Sequence, residues 1–231
     1  MTHRSSLITH HGYFITGTDT GIGKTLVACA LLHALSSRGL RAAGMKPVAA
    51  GAQRSGGELR NEDAERLAAA SSVTVPRTLL NPYCFELPIA PHIAAREAEV
   101  SIELEPILRA YHALAQRADV VVVEGIGGFC VPLNAREDTA DLAQRLALPV
   151  LLVVGMRLGC LNHALLTVQA IRAKGLQFAG WIANRVDPTL AAAECNVAAL
   201  AERLAAPLLG DIEFMAAPDP RRIAAQLIMP L

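Results

Sequence analysis

Lysine is nearly absent: Lys24, Lys46 and Lys174 stand against 18 arginines among 231 residues. Charge of one sign is absent too. The net charge is zero and the pI near 7, which excludes the basic footprint of a nucleic-acid binder. No hydrophobic run suffices for a membrane span. The longest, Leu146 to Met156, reaches about half of the roughly 20 residues required and contains Pro149. The five cysteines, Cys29, Cys84, Cys130, Cys160 and Cys195, are odd in number and never spaced as CxxC. They encode neither a disulfide frame nor a zinc site, and read as small core residues of a reduced, cytosolic protein. Residues 1–11 hold one Arg and three His without the apolar stretch of a signal peptide, and are expected to form a short disordered leader. Repeats, low-complexity tracts and linkers are missing as well.

What is present is apolar residue in quantity. Hydrophobic residues make up 52% and charged residues 18%, enough to bury the core of one α/β domain over residues 12–231. Short β-rich runs alternate with helical stretches. The predicted strands are Tyr13–Thr16, Ala42–Val48, Val120–Val123, Val150–Val154, Phe178–Ala183 and Leu208–Ile212. The predicted helices are Lys24–Ser37, Asn61–Ala70, Ile102–Arg117, Leu161–Lys174 and Leu190–Leu204. This alternation implies a mostly parallel sheet with helices on both faces, whose ligands bind beyond the carboxyl ends of the strands.

The strongest motif lies between the first strand and the first helix: Gly17-Thr18-Asp19-Thr20-Gly21-Ile22-Gly23-Lys24-Thr25. Small residues let backbone N–H groups close around an anion at a helix N-terminus. Lys24 would reach the β/γ-phosphates of a nucleotide and the Thr25 hydroxyl would hold Mg²⁺. The chain is therefore expected to have a single-domain P-loop NTPase fold. Glu124 ends the four-valine strand and precedes Gly125-Ile126-Gly127-Gly128, where an acid completes a Mg²⁺ environment and glycines permit close backbone approach. Lys46, just before Pro47, is a slim cation suited to a transferring phosphoryl group. Replacing it with Ala is expected to leave folding intact and remove most activity. Asp63 at a helix start reads either as a further Mg²⁺ contact or as an acid favoured there by the helix dipole.

Taken together these segments resemble the dethiobiotin synthetase family. The resemblance rests on Gly17–Thr25, Lys46-Pro47-Val48-Ala49, Arg60-Asn61-Glu62-Asp63, Asn81-Pro82-Tyr83, Pro91-His92-Ile93, Glu124–Gly128, Gly159–His163, Gly180–Asn184 and Pro207–Gly210, in order along nearly the whole chain. It implies a cytoplasmic homodimeric ligase using ATP and Mg²⁺. It also implies 7,8-diaminopelargonate and CO₂ as co-substrates, with a carbamate and a carbamic-phosphoric anhydride on the way to the ureido ring. Carried over by position, it makes Lys46 and Lys24 catalytic, and Thr25, Asp63 and Glu124 the metal contacts. Gly21, Ile22, Gly23, Lys24, Thr25, Glu124, Gly125, Ile126 and Gly127 would line the phosphates. Asn184 would read the adenine edge, and Glu213, Phe214 and Met215 would close over the base. Thr20, Lys46 and Ala50 would face substrate, joined by Gly159, Cys160, Leu161 and Asn162 from the partner subunit at a helix N-terminus. His163 reads as a helix hydrogen-bonder. Ala50 replaces a family Ser, losing a hydroxyl contact, and Ile126 replaces the usual Ala.

Two rival classes share the loop. Dimer-switch ATPases of the partition and septum-placement type would carry Lys five residues before Lys24, where this chain has Asp19, and the septum-placement type would end in an amphipathic membrane helix, unlike Ala224–Leu231. Amide ligases need a glutaminase domain for which 231 residues leave little room.

Overall fold

The computed structural model describes residues 12–229, so the leader expected at residues 1–11 lies outside the described residues. In chain order the elements are β1 (Gly12–Gly17), α1 (Lys24–Ser36), β2 (Ala42–Met45), β3 (Val48–Ala49), β4 (Gln53–Ser55), β5 (Glu58–Arg60) and α2 (Glu62–Ala70). Then follow α3 (Arg77–Leu80), β6 (Tyr83–Cys84), α4 (Pro91–Glu97), α5 (Leu104–Ala115), β7 (Val120–Glu124), α6 (Thr139–Leu146) and β8 (Val150–Gly155). The chain continues through α7 (Cys160–Ala173), β9 (Phe178–Asn184), α8 (Ala193–Leu204), β10 (Leu208–Ile212) and α9 (Pro220–Ala224).

Six strands form one parallel sheet in the order β10-β9-β8-β1-β7-β2. From β1 the chain crosses to β2 at the edge, returns with β7 to fill the gap, then continues with β8 on the other side of β1. This reversal at β1 opens a crevice at the carboxyl ends of β1, β7, β8 and β9. The valines of β7 are fully buried because both faces of the sheet are covered. Val120 and Val122 pack with Ile15, Leu32 and Leu67 under α1 and α2. Val121 and Val123 pack with Phe14, Ile107 and Leu114 under α5. Further along that second face, Trp181 and Leu152 meet Leu200 and Leu204 of α8. Helices on both faces agree with the expectation.

The strand expected over 42–48 is two. Pro47 has no N–H to give the sheet, and Lys46 turns away: its N–H donates to Leu80 O at 2.7 Å and its carbonyl accepts from Asn81 Nδ2 at 2.6 Å. Val48 and Ala49 then pair with Tyr83 and Cys84. The helix expected from Leu190 begins at Ala193. Leu190 instead closes a turn on Asp187, whose Oδ1 also caps Thr189, and Ala192 takes a left-handed conformation with φ 55°. Several short elements had no periodicity long enough to be expected: the β4–β5 hairpin, α3, β6, α4 and α6. Of these α6 does carry a local signal, a capping box formed by Asp138 and Asp141.

Candidate functional site

The loop after β1 is shaped by two left-handed glycines, Gly21 (φ 73°) and Gly23 (φ 89°). It is tied to the neighbouring strands at three points. Thr18 N–H donates to Val153 O at 3.0 Å, Gly155 N–H to Thr18 Oγ1 at 3.3 Å, and Asn184 Nδ2 to Ile22 O at 2.8 Å. Two of these positions have no space for a side chain. A Cβ on Gly23 would sit 2.2 Å from Asn184 Nδ2, and one on Gly155 would sit 2.4 Å from Ile22 Cγ2.

Lys24 opens α1 and folds back over the loop, its Nζ donating to Asp19 O at 2.7 Å. Burial, followed by repulsion from Lys46, lowers its pKa to about 8. Next along the helix, Thr25 Oγ1 donates to Glu124 Oε1 at 2.9 Å. Lys46 closes the group: its Nζ lies 2.5 Å from Glu124 Oε1, 3.1 Å from Asp63 Oδ2 and 3.4 Å from Gly125 O. Burial opposes the charge on Lys46, yet Glu124 and Asp63 hold the ammonium pKa above its usual value. Burial likewise opposes ionisation of Asp63, and Lys46 and Thr25 outweigh it, holding that carboxyl below the usual range. Asp63 is set there by Asn61, the N-cap of α2, whose side chain accepts from Asp63 N–H. Asn81, through its bond to Lys46 O, fixes the backbone from which the ammonium projects.

One atom in this cluster is unpaired. Glu124 Oε2 is buried without a hydrogen-bond partner. An orphaned carboxylate oxygen beside a hydroxyl and a second carboxylate is a hard-oxygen set that fits Mg²⁺, which takes one or two carboxylates and completes its shell with phosphates and water. Among the described residues no cluster of three or more His, Cys, Asp or Glu would hold a metal on its own.

These groups line a cleft of about 1030 Å³, room for a nucleotide and a small co-substrate. Thr20, Gly21, Gly23, Lys24, Thr25, Lys46, Ala50, Asp63, Glu124, Ile126, Gly127 and Asn184 all border it, as do Glu213, Phe214 and Met215. Ile22 and Gly125 sit just behind. The Ile22 side chain is 1% exposed and fills the space under the loop, while Gly125 contributes its carbonyl to Lys46. Gly159, Cys160, Leu161 and Asn162 do not line the cleft. They open α7 behind Leu158, with Gly159 at φ 94°.

Sequence reasoning missed several residues here. Arg185 anchors the far end, donating in a bidentate fashion to Asp211 at 3.0 and 2.8 Å and reaching Glu194 at 2.9 Å. Arg66 lies on the cleft wall, and Arg157 pairs with Asp19. Lysine is scarce enough to mark its own positions, whereas these three arginines resemble the other 15 until their partners are seen.

A family model described as an AAA domain matches residues 11–222. The ATP-dependent dethiobiotin synthetase BioD of Aromatoleum aromaticum is 58% identical over 218 residues, covering 94% of this chain and 97% of the relative. The synthetase of the same name from Nitrosospira multiformis is 54% identical over 216 residues, covering 94% of both. The chain belongs to the ATP-dependent dethiobiotin synthetase family. Solved structures of lower similarity share the fold. A ParA family ATPase from Chlorobium tepidum TLS is superposable with a TM-score of 0.54 at 14% identity, covering 90% of this chain and 86% of its own. MinD of Aquifex aeolicus gives 0.54 at 16%, covering 90% and 84%. The fold is thus shared with these two proteins, and family membership rests on the synthetase relatives.

Proposed function

We propose that this chain is an ATP-dependent ligase that joins 7,8-diaminopelargonate and CO₂ into the ureido ring of dethiobiotin, releasing ADP and phosphate. The observation that carries the reading is the convergence of Lys24, Lys46, Thr25, Asp63 and Glu124 on one cleft, in a chain of the dethiobiotin synthetase family.

The chemistry runs in three steps. One amine of the substrate takes up CO₂, losing a proton and forming a carbamate. A carbamate oxygen attacks the γ-phosphorus of ATP and ADP leaves. The second amine then attacks the carbonyl carbon of the mixed anhydride, loses a proton, and phosphate leaves as the ring closes. In the middle step an anion attacks an anion, so the protein's task is to neutralise charge and hold the groups in line. Lys24, whose Nζ donates to a backbone carbonyl, exchanges that contact for phosphate oxygens. Lys46 is held as an ammonium by Glu124 and Asp63 and faces the transferring group. Thr25, Asp63 and Glu124 would hold Mg²⁺, which would supply charge neutralisation for the nucleotide's phosphates. Asn184 keeps an amide oxygen and one N–H for the base after donating to Ile22 O, with Glu213 to Met215 across the cleft. Thr20, Ala50 and Ile126 would flank the diamine.

A homodimer supplies the remaining contact in this reading. Gly159 to Asn162 do not line their own cleft, and the N–H groups of Leu161 and Asn162 in the first turn of α7, left over once that of Cys160 has bonded to Arg157 O, suit a carboxylate presented across a subunit interface. The exposed Leu158 beside them supports pairing there. A cytoplasmic location accords with five free cysteines, and among the described residues no helix is long and apolar enough to cross a membrane.

The test is ADP release with ATP, Mg²⁺ and bicarbonate, with and without 7,8-diaminopelargonate. Release that requires the diamine and matches dethiobiotin formation is the expected result. Slow release indifferent to the diamine would leave a nucleotide-binding loop and overturn the synthetase.

A further inference from the structure

An acidic residue is out of place in a loop built to receive a triphosphate, yet Asp19 is there and borders the cleft. Its carboxylate has two partners. Oδ1 accepts from the N–H of the next loop residue, Thr20, at 2.7 Å, and Oδ2 is paired with the Arg157 guanidinium. Lys24 does not help neutralise it by contact, since its Nζ takes the Asp19 backbone carbonyl. Arg157 is itself well placed for the task. It lies in the connection from β8 to α7, held on one side where Met156 N–H donates to Asn184 O at 2.8 Å. On the other side the Arg157 carbonyl accepts from Cys160 N–H at 3.0 Å. The same stretch of backbone, through Gly155, already grips Thr18 of the loop.

The other two acids near the phosphate end, Asp63 and Glu124, are both matched by Lys46. With Asp19 matched by Arg157, Lys24 is, among the described residues that line the cleft, the cation without an ion pair and is left to meet the phosphates. We infer that Arg157 is a positioning residue for ATP: it cancels the charge of Asp19 and holds the first half of the phosphate loop in its anion-receiving form. It reaches the nucleotide only through Asp19, and the inference rests on the reading of this cleft as an ATP site.

The experiment measures ATP binding and steady-state kinetics for the wild-type chain, Arg157→Ala, Arg157→Lys, and Arg157→Ala combined with Asp19→Asn. Asn keeps the Oδ1 acceptor for Thr20 and removes the charge. Unscreening one negative charge at the phosphate site is expected to raise Kd and KM for ATP about three- to tenfold in Arg157→Ala, more at low salt than at high. KM for the diamine should move less than that for ATP, since of this half of the loop Thr20 alone flanks it. Lys at 157 should keep most of the affinity, and Asp19→Asn in the Ala background should restore it. The pair is partly exposed at 42% and 45%, so melting temperatures should move little and leave binding as the readout. Wild-type binding with unaltered affinity in Arg157→Ala would overturn the inference alone. So would a loss that Asp19→Asn fails to repair, which would make Arg157 a purely structural latch. A wild-type chain that binds no ATP would overturn the site reading and this inference together.

Discussion

Lys46 Nζ sits 2.5 Å from Glu124 Oε1, and the two side chains are 4% and 1% exposed. A buried pair of this kind is weak as a source of net stability but expensive to break, because the surviving charge stays in the interior without its partner. The expectation that Lys46→Ala would fold as well as the wild type therefore needs revision. It should lose activity by well over tenfold, through the missing cation, and also about 3–5 kcal/mol of stability through the stranded Glu124. Denaturant unfolding separates the two effects. Adding Glu124→Gln to Lys46→Ala should recover much of the stability and none of the activity. A Lys46→Ala protein that melts like the wild type would contradict the buried pairing.

Free Lys24 titrates near pH 8, lowered by burial and by Lys46, and a bound triphosphate favours its charged form. At about pH 7 and below the ammonium already exists in nearly every molecule, and nucleotide binds at full strength. As pH rises past 8 a growing share of the free protein must first take up a proton, so affinity should fall progressively toward pH 9.5. Calorimetry of a non-hydrolysable ATP analogue in buffers of different ionisation enthalpy should show net proton uptake between pH 8 and 9.5. Binding without proton uptake in that range would mean Lys24 is charged throughout.

Gly23→Ala tests the loop's fit to the strand behind it. The added Cβ meets Asn184 Nδ2 at 2.2 Å and sits at φ 89°, a conformation costing a non-glycine residue about 1–2 kcal/mol. Asn184 has to leave Ile22 O, so one methyl group disturbs both the phosphate end and the base end of the cleft. Nucleotide affinity should drop more than tenfold while circular dichroism keeps its native form. Gly21→Ala is the control: it has a positive φ but open space around it, and should lose less.

How much of this was legible in the sequence follows from how local each signal is. The strand, loop and helix from Gly12 to Ser36 are written in consecutive residues, and so is the buried four-valine strand ending at Glu124. Lys46 was found because lysine is scarce. Its environment was not, because Pro47 and the Asn81 amide take it out of the sheet, and the latter acts across 35 residues. Arg157 was missed for the same reason on a larger scale: its partner lies 138 residues away, and an Arg among 18 carries no mark of its own. The site's residue types could be read, whereas the pairing that sets their charge states required the fold.

The proposed dimer makes a prediction that separates it from the nucleotide chemistry. Leu158 is 92% exposed at the tip of the β8–α7 connection, and Leu166 on α7 is 55% exposed. An isolated leucine on a surface means little, but here it adjoins the Gly159 to Asn162 turn, which does not line its own cleft. If that turn serves the partner's substrate, a charge at position 158 opposes pairing and removes the carboxylate contact at once. Leu158→Asp should shift the protein from dimer to monomer in sedimentation velocity and raise KM for the diamine at least tenfold. Binding of ATP, confined to one chain's loop and strands, should remain within about twofold, since the phosphate contacts lie elsewhere. A monomeric variant with an unchanged diamine KM would show that Gly159 to Asn162 play no part in substrate binding.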